Sequence, residues 1–97
     1  MARFDAYLGK RGYILDVQSD ILEGLESRIV VPLFPPSRIK LHIHHLNPIL
    51  QVQDRPLVMF TQLIAAIPRT DLGVFQVSLA HEADKITRAL DMALQGF

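Results

Sequence analysis

Along most of the chain, apolar and polar residues alternate in short runs, which is the pattern of β-strands with one buried face. In the opening segment, Phe4, Ala6 and Leu8 alternate with more polar neighbours. Residues 9–12 include two glycines that can adopt positive φ, so they predict a turn. A second apolar run follows over residues 13–17, and together the two runs predict a β-hairpin.

The clearest strand prediction is residues 28–33, where a β-branched run fits a strand buried on both faces. Pro35 and Pro36 are expected to end it. For residues 37–47 the pattern fits two structures equally, either another short strand or an extended segment that covers the core. The remaining strand predictions are residues 49–52 and 57–60 around a hairpin loop at 53–56, residues 63–67 as a turn with a short strand, and residues 73–77.

After residue 78 the hydrophobic period changes from 2 to 3.6, which predicts one C-terminal helix. The apolar side, expected to belong mostly to the core, consists of Ala83, Ile86, Leu90, Ala93, Leu94 and Phe97. The opposite side consists of Asp84, Lys85, Arg88, Asp91 and Gln95. Asp84 and Arg88 have the spacing of an i,i+4 ion pair. Ser78 or Ala80 is expected to cap the helix, and Gly96 to end it.

Length and composition limit the class of protein. With 97 residues, the chain is expected to form a single domain over residues 1–97. The hydrophobic fraction of 49% is high for so small a domain and favours a partner subunit. Ten basic and ten acidic residues leave no net positive field for sequence-independent nucleic-acid binding. The sequence has no cysteine, so disulfides and thiolate metal sites are excluded.

Targeting and membrane segments are not expected. The first residues alternate in polarity and lack the apolar run of a signal peptide. No apolar run approaches the ~18–20 residues that a membrane helix needs. The expected compartment is the bacterial cytoplasm.

A cluster of three histidines is the first candidate for chemistry. His42 and His44 would share one face of a strand, with His45 beside them. A metal chelate is geometrically feasible there, although a site needs a further ligand. The alternative is a polar strand face, and we expect neither a bound metal nor a cofactor.

Two apolar features are candidates for a partner surface. Ile21 and Leu22 lie in a loop with acidic neighbours, where they either pack inward or face a partner. Phe97 follows Gly96 at the end of the predicted helix. It either covers the core or acts as an aromatic anchor in an interface.

Several segments match a known family in the same order. The most specific are residues 16–22, Asp-Val-Gln-Ser-Asp-Ile-Leu, and residues 28–33, Arg-Ile-Val-Val-Pro-Leu. The other matching segments are residues 46–50, 59–62, 65–68, 79–81 and the predicted helix that ends in Gly96 plus an apolar residue. Through these segments, nearly the whole chain resembles the CcdB toxins.

The resemblance implies a fold and an activity. The fold is α+β, with an antiparallel SH3-like β-barrel sheet, a small additional sheet and one C-terminal α-helix. The protein would be a homodimer that binds the A subunit of DNA gyrase and traps the enzyme on cleaved DNA. On this view it is not an enzyme. A CcdA-like antitoxin would neutralise it, and the pair would bind operator DNA together and repress their operon.

The resemblance also implies which residues contact gyrase. The family's loop aliphatics fall on Ile21 and Leu22, and a polar helix residue falls on Asp91. The family's final Trp-Gly-Ile falls on Gln95, Gly96 and Phe97. The chain therefore departs from its relatives at Gln95, where they carry the tryptophan. Two interpretations stay open: the larger Phe97 supplies the missing contact, or the departure marks a different topoisomerase target, a weaker toxin or a decayed one.

Two alternatives stay open at this point. MazF-type endoribonucleases resemble CcdB proteins in fold, and Arg28 with Thr61 or Thr70 is the candidate set for RNA cleavage. The other alternative is an inactive relative that binds only its antitoxin, which the loss of the tryptophan at Gln95 would explain.

Overall fold

The computed structural model describes residues 2–39 and 43–96. They form seven strands, several short 3-10 turns and one helix. The strands are β1 (Asp5–Gly9), β2 (Gly12–Asp16), β3 (Ser27–Phe34), β4 (Ile49–Val52), β5 (Arg55–Met59), β6 (Ala65–Pro68) and β7 (Val74–Ser78), and the helix is α1 (Ala83–Gln95). Both predicted hairpins, β1–β2 and β4–β5, are confirmed.

The strands form one antiparallel sheet in the order β4-β5-β3-β2-β1-β7. β6 branches from this path and pairs with the first half of β3. The side-chain Nε2 of Gln53, in the β4–β5 turn, donates a hydrogen bond of 2.8 Å to the carbonyl oxygen of Gln76 in β7. The sheet therefore curls into a half-barrel, and with α1 it confirms the α+β prediction.

The separate small sheet that the resemblance implied is not formed by residues 2–39 and 43–96. All seven strands belong to one sheet, because β3 is long enough to carry two partners on the same edge. Its residues 27–30 pair with β6, and its residues 33 and 34 pair with β5. The small sheet is thus replaced by a branch.

The core lies on both faces of β3, as its β-branched run predicted. Val31 and Leu33 join the main cluster, to which α1 contributes Ile86, Ala89 and Leu90. On the other face, Val30 packs in a smaller cluster with Tyr7 and Leu72. Burial of both faces explains why this strand carries no alternating polar positions.

The alternation predicted for the first strand breaks down halfway along it. Ala6 is fully buried as expected, but Tyr7 is buried too, and Leu8 is 39% exposed. The pairing of β1 with β7 shifts register between Ala6 and Tyr7. A bulge at this point moves the following side chains to the opposite faces.

Helix α1 ends as predicted but begins differently. Gly96 adopts φ 84°, and its N–H bonds to the Met92 carbonyl oxygen at 3.0 Å, which is the left-handed cap that glycine favours. The helix begins after a 3-10 turn at Ala80–Glu82. Neither Ser78 nor Ala80 caps the helix, whose N-cap is Glu82; Ser78 Oγ accepts from the Ala80 N–H, at the first residue of that turn, at 3.3 Å.

The prediction that the apolar side of α1 belongs mostly to the core holds for Ala83, Ile86 and Leu90, but Ala93 is exposed and Leu94 is 70% exposed. The ion pair predicted on the opposite side is wrong. Arg88 forms no ion pair with Asp84 in the described part of the chain. Its Nη1 lies 3.3 Å from Nδ1 of His45 instead.

The β4–β5 turn offers a test of backbone strain. Gln53 and Asp54 have φ of 51° and 67°, a conformation that costs less with glycine. We expect Asp54→Gly to raise the free energy of unfolding by about 0.5 kcal/mol, measured by urea denaturation. The control, Gln51→Gly in the interior of β4, should lower the free energy of unfolding by about 0.5–1 kcal/mol. A lower free energy of unfolding in both variants would show that the backbone at Asp54 is not strained.

Candidate functional site

Among residues 2–39 and 43–96, the large apolar side chain with the greatest exposure lies in the 3-10 turn Asp20–Leu22, which we name the aliphatic turn. Ile21 is 92% exposed. Leu22 is also exposed, although less so. Of the two readings of this pair, inward packing is therefore excluded for Ile21. An aliphatic side chain held this far into solvent is a candidate contact for a partner.

The aliphatic turn is held by side chains on both sides of it. Gln18 is buried, and its Nε2 donates to the Leu22 carbonyl oxygen at 2.8 Å, while its Oε1 accepts from the Ile29 N–H of β3 at 3.1 Å. Ser19 Oγ accepts from the Ile21 N–H at 3.3 Å. Asp20 Oδ1 accepts from the Arg3 N–H at 2.9 Å. The turn is thereby tied to β3 and to the N-terminal segment.

A buried ion pair lies beneath these contacts. Arg28 and Asp16 are both 0% exposed, and Nε and Nη2 of Arg28 lie 2.9 and 2.6 Å from Oδ2 of Asp16. The other carboxylate oxygen, Oδ1, accepts from the Gln18 N–H at 3.0 Å. Burial raises the pKa of Asp16, and the hydrogen bonds from Arg28 and Gln18 oppose that rise.

The residues Asp16, Gln18, Ser19 and Asp20 thus have a common structural role. Each accepts or donates a hydrogen bond that fixes the aliphatic turn or the strand end before it. The sequence marked the Asp-Val-Gln-Ser-Asp block only as a family signature. Its polar residues fix the backbone that presents Ile21.

The end of α1 is the other part of the predicted gyrase surface. Asp91 is half-buried, and Gln95 and Gly96 are exposed. Leu94, which sequence analysis assigned to the core, is one of the most exposed apolar side chains of the described residues. Phe97 lies outside the described residues.

The structure does not join the two parts within one chain. Helix α1 packs against the 3-10 turn Thr61–Leu63. Among residues 2–39 and 43–96, no hydrogen bond or ion pair links the aliphatic turn with α1. Within these residues, polar contacts therefore do not hold the two parts of the predicted surface together.

The residues predicted for RNA cleavage are not arranged as a catalytic set. Arg28 is fully buried against Asp16. Thr61 is also fully buried, and its Oγ1 donates to the Leu46 carbonyl oxygen at 2.6 Å. Thr70 alone is exposed. Arg28 and Thr61 have no access to a substrate, so this interpretation of them was wrong.

The histidine cluster is not arranged as predicted either. His42 lies outside the described residues. His44 and His45 lie in a turn rather than a strand, with ring centroids 3.8 Å apart. In the part of the chain that the structure describes, no three potential ligands come together as a metal site.

Among the same described residues, no helix is long and apolar enough to cross a membrane.

The fold is similar to that of solved endoribonuclease structures. An endoribonuclease from a mycobacterial species shares 17% identity at a TM-score of 0.78, over 97% of this chain and 90% of that one. An endoribonuclease in complex with its cognate antitoxin, also from a mycobacterial species, shares 18% identity at 0.76, over 97% and 94%. At this identity the likeness shows the fold alone.

These structures correct one expectation from the sequence. The prediction that the chain is not an enzyme was wrong, because the two similar structures named above are endoribonucleases. The resemblance alone gave that prediction, and the fold includes enzymes.

The family is shown by a direct match. The family model described as CcdB protein matches residues 3–96, which is nearly the whole chain. The match includes the polar block that fixes the aliphatic turn and the helix up to its glycine cap. Members of this family are toxins of toxin–antitoxin systems. The chain belongs to the CcdB family.

Proposed function

We propose that this protein is a toxin that binds the A subunit of DNA gyrase and traps the enzyme on cleaved DNA. The observation that supports this best is the aliphatic turn. Ile21 is 92% exposed on a turn that three side-chain hydrogen bonds hold, one of them from Gln18, which is itself bonded to β3. Because the turn is ordered before binding, little conformational entropy is lost when a partner covers Ile21.

The charges around the aliphatic turn suggest what its partner surface contains. Asp20, Glu23 and Glu26 are all exposed and lie within or beside the turn. An apolar pocket with a basic rim would match an aliphatic side chain surrounded by carboxylates. A basic rim is expected of an enzyme surface that holds DNA.

In this proposal the functional unit is a homodimer with an SH3-like half-barrel in each protomer. A two-fold axis would bring copies of the aliphatic turn and of the α1 end, with Asp91, Gln95, Gly96 and Phe97, into one composite surface. The exposed Leu94 offers further apolar area for either contact. A CcdA-like antitoxin would neutralise the dimer and join it on operator DNA; one structure of similar fold contains its cognate antitoxin.

The test uses purified protein, gyrase, supercoiled plasmid and ATP, with linear DNA measured after denaturation. The proposal expects linear DNA to accumulate with toxin concentration and to disappear when a CcdA-like antitoxin is added. If no linear DNA forms at any concentration, gyrase poisoning is wrong. Antitoxin binding without trapped cleavage would identify an inactive relative.

A second candidate is cleavage of RNA, favoured by the fold shared with two endoribonucleases. Because Arg28 and Thr61 are buried, such an activity would need other groups. A groove of about 650 Å³ beside the β1–β2 turn carries several, namely Lys10, Arg11, Tyr13 and Asp71. A parallel incubation with labelled RNA tests this candidate, and Arg11→Ala should abolish any cleavage that belongs to the groove.

The end of the helix gives a prediction within the gyrase proposal. Deleting Gly96 and Phe97 should raise the toxin concentration for half-maximal DNA cleavage about tenfold, the effect of losing one aromatic contact of about 1.4 kcal/mol. Gln95→Ala should change it less, because a solvent-exposed glutamine side chain contributes little to binding. A truncated chain that traps gyrase as well as the full one would exclude this end from the surface.

A further inference from the structure

A solvent-open cavity of about 710 Å³ lies between α1 and the turn at residues 43–47. We name it the histidine pocket. Its polar lining comes from His44 and His45 on the turn and from Asp84, Lys85 and Arg88 on the helix. None of these residues belongs to the surface proposed for gyrase or to the groove beside the β1–β2 turn.

Arg88 points into the histidine pocket. The carboxylate of Asp84, one helical turn earlier, is a potential partner, but no ion pair joins the two. Nη1 of Arg88 lies 3.3 Å from Nδ1 of His45. A guanidinium can only donate hydrogen bonds, so this contact requires a neutral His45 whose Nδ1 accepts.

The electrostatics agree with a neutral imidazole. Desolvation, then the neighbouring His44 and Arg88, lower the pKa of His45 below its ordinary value of 6.5. The guanidinium of Arg88 on the helix therefore faces the imidazole of His45 on the turn. Because the guanidinium is positively charged, it disfavours a proton on His45 and attracts an anion.

Both walls of the histidine pocket are fixed before any ligand arrives. Asn47 is buried beneath the turn: its Oδ1 accepts from the Ile43 N–H at 3.0 Å, and its Nδ2 donates to the Met59 carbonyl oxygen at 3.1 Å. On the helix side, Lys85 Nζ donates to the Ile49 carbonyl oxygen at 3.1 Å. The walls are thus tied to β4 and β5.

The turn also holds His45 in an unusual backbone conformation. Its φ is 69°, in the left-handed region that residues other than glycine rarely adopt. Such positions persist where the surrounding contacts enforce them, and they concentrate at functional sites. Here the conformation brings the imidazole opposite Arg88.

We propose that the histidine pocket binds a phosphate group, with Arg88, His44 and His45 donating hydrogen bonds to its oxygens. Guanidinium donors match the geometry of phosphate oxygens. Donors from two elements suit a tetrahedral anion better than a planar carboxylate. The cavity of about 710 Å³ is within the range of small-molecule sites and leaves room for the sugar and base of a nucleotide.

Binding is expected to take up a proton. When the anion arrives, His45 gains a proton at Nδ1, and this nitrogen changes from the acceptor of the Arg88 N–H to a donor for a phosphate oxygen. The carboxylate of Asp84 at the rim opposes the anion, and that of Glu82 is paired with Lys85 at 3.1 Å. Affinity should therefore fall as pH rises through the histidine range.

The test follows the imidazole and guanidinium signals of the full chain by NMR during titration with inorganic phosphate, a 5′-mononucleotide and a short single-stranded oligodeoxynucleotide. We expect saturable shifts at His44, His45 and Arg88, and weaker binding at pH 8 than at pH 6. Tighter binding of the oligonucleotide than of inorganic phosphate assigns the site to a nucleic-acid strand, and equal binding assigns it to free phosphate.

Variants make the test specific to the pocket. Arg88→Gln should weaken phosphate binding about tenfold, the effect of losing a charge-assisted hydrogen bond. The control is Arg38→Gln on the exposed 3-10 turn after β3, which should leave binding unchanged. His45→Asn, which tolerates the left-handed backbone, should reduce the pH dependence of oligonucleotide binding, because phosphodiesters do not titrate between pH 6 and 8. An absence of saturable shifts, an equal loss in Arg38→Gln, or tighter binding of an acidic peptide than of any phosphate would overturn the proposal.

Discussion

Arg28→Met is expected to lower the free energy of unfolding by about 3–5 kcal/mol, the cost of removing one partner from a buried ion pair. Arg28 and Asp16 are both fully buried, so the variant leaves the Asp16 carboxylate without a counter-charge. The loss is measured by urea denaturation followed by circular dichroism. The control is Lys85→Met in the exposed pair with Glu82, which should cost no more than about 1 kcal/mol.

The pH dependence of this loss identifies its cause. Burial raises the pKa of Asp16 above 3.8, and Arg28 opposes the rise, so the pKa rises further in the variant. The native state then holds this proton more tightly than the unfolded chain, and stability falls as pH rises from about 3.8 through the native pKa. Arg28→Met should therefore lose less stability near pH 4 than at neutral pH.

A double variant separates the unpaired charge from lost packing. Asp16→Asn combined with Arg28→Met removes the buried charge and keeps an Oδ1 that accepts from the Gln18 N–H. Part of the lost stability should return. An equal loss in the single and double variants, or at both pH values, would show that packing of the Arg28 side chain is the larger effect.

Ile21→Glu is expected to raise the toxin concentration for half-maximal gyrase cleavage by about 30-fold or more, which corresponds to a hot-spot loss of about 2 kcal/mol. The substitution places a carboxylate where the proposal puts an apolar contact, beside the acidic residues already there. Because Ile21 is 92% exposed, the fold should be unaffected. The measurement is linear DNA formed from supercoiled plasmid.

The matched control for this prediction is Val74→Glu. Val74 is 68% exposed on β7. Its substitution by glutamate therefore introduces the same charge at an exposed aliphatic position outside the proposed surface. It should trap gyrase like the unchanged protein. If both variants lose activity, a general charge effect explains the loss, and if neither does, the aliphatic turn does not contact gyrase.

Secondary structure could be predicted correctly where neighbouring residues along the chain determine the backbone conformation. The glycines at 9–12 predicted the first hairpin, the β-branched run predicted β3, and Gly96 predicted the helix end; each is confirmed. The failures involve partners distant in sequence. The register shift in β1 depends on its pairing with β7. Arg88 contacts His45 and not Asp84, because the turn at residues 43–47 lies against the helix.

The candidate site likewise has features that the sequence predicted and features that only the structure shows. The sequence identified Ile21 and Leu22 as unusual loop aliphatics, and the structure places Ile21 in solvent. Nothing in the sequence indicated that Gln18 holds this turn to β3, because a glutamine has no signature for a buried role. Helical periodicity assigned Leu94 to the core, but its side chain is 70% exposed, because periodicity does not report where the neighbouring elements end.

The position of β3 has a consequence for how the chain folds. The hairpins β1–β2 and β4–β5 close over short loops, but Ser27 of β3 pairs with Pro68, and Asp5 of β1 pairs with Ser78. Chains rich in such distant pairings fold in milliseconds to seconds. During synthesis, the half-barrel cannot close until β6 and β7 have left the ribosome, so a nascent chain exposes both faces of β3 until residues 65–78 have emerged.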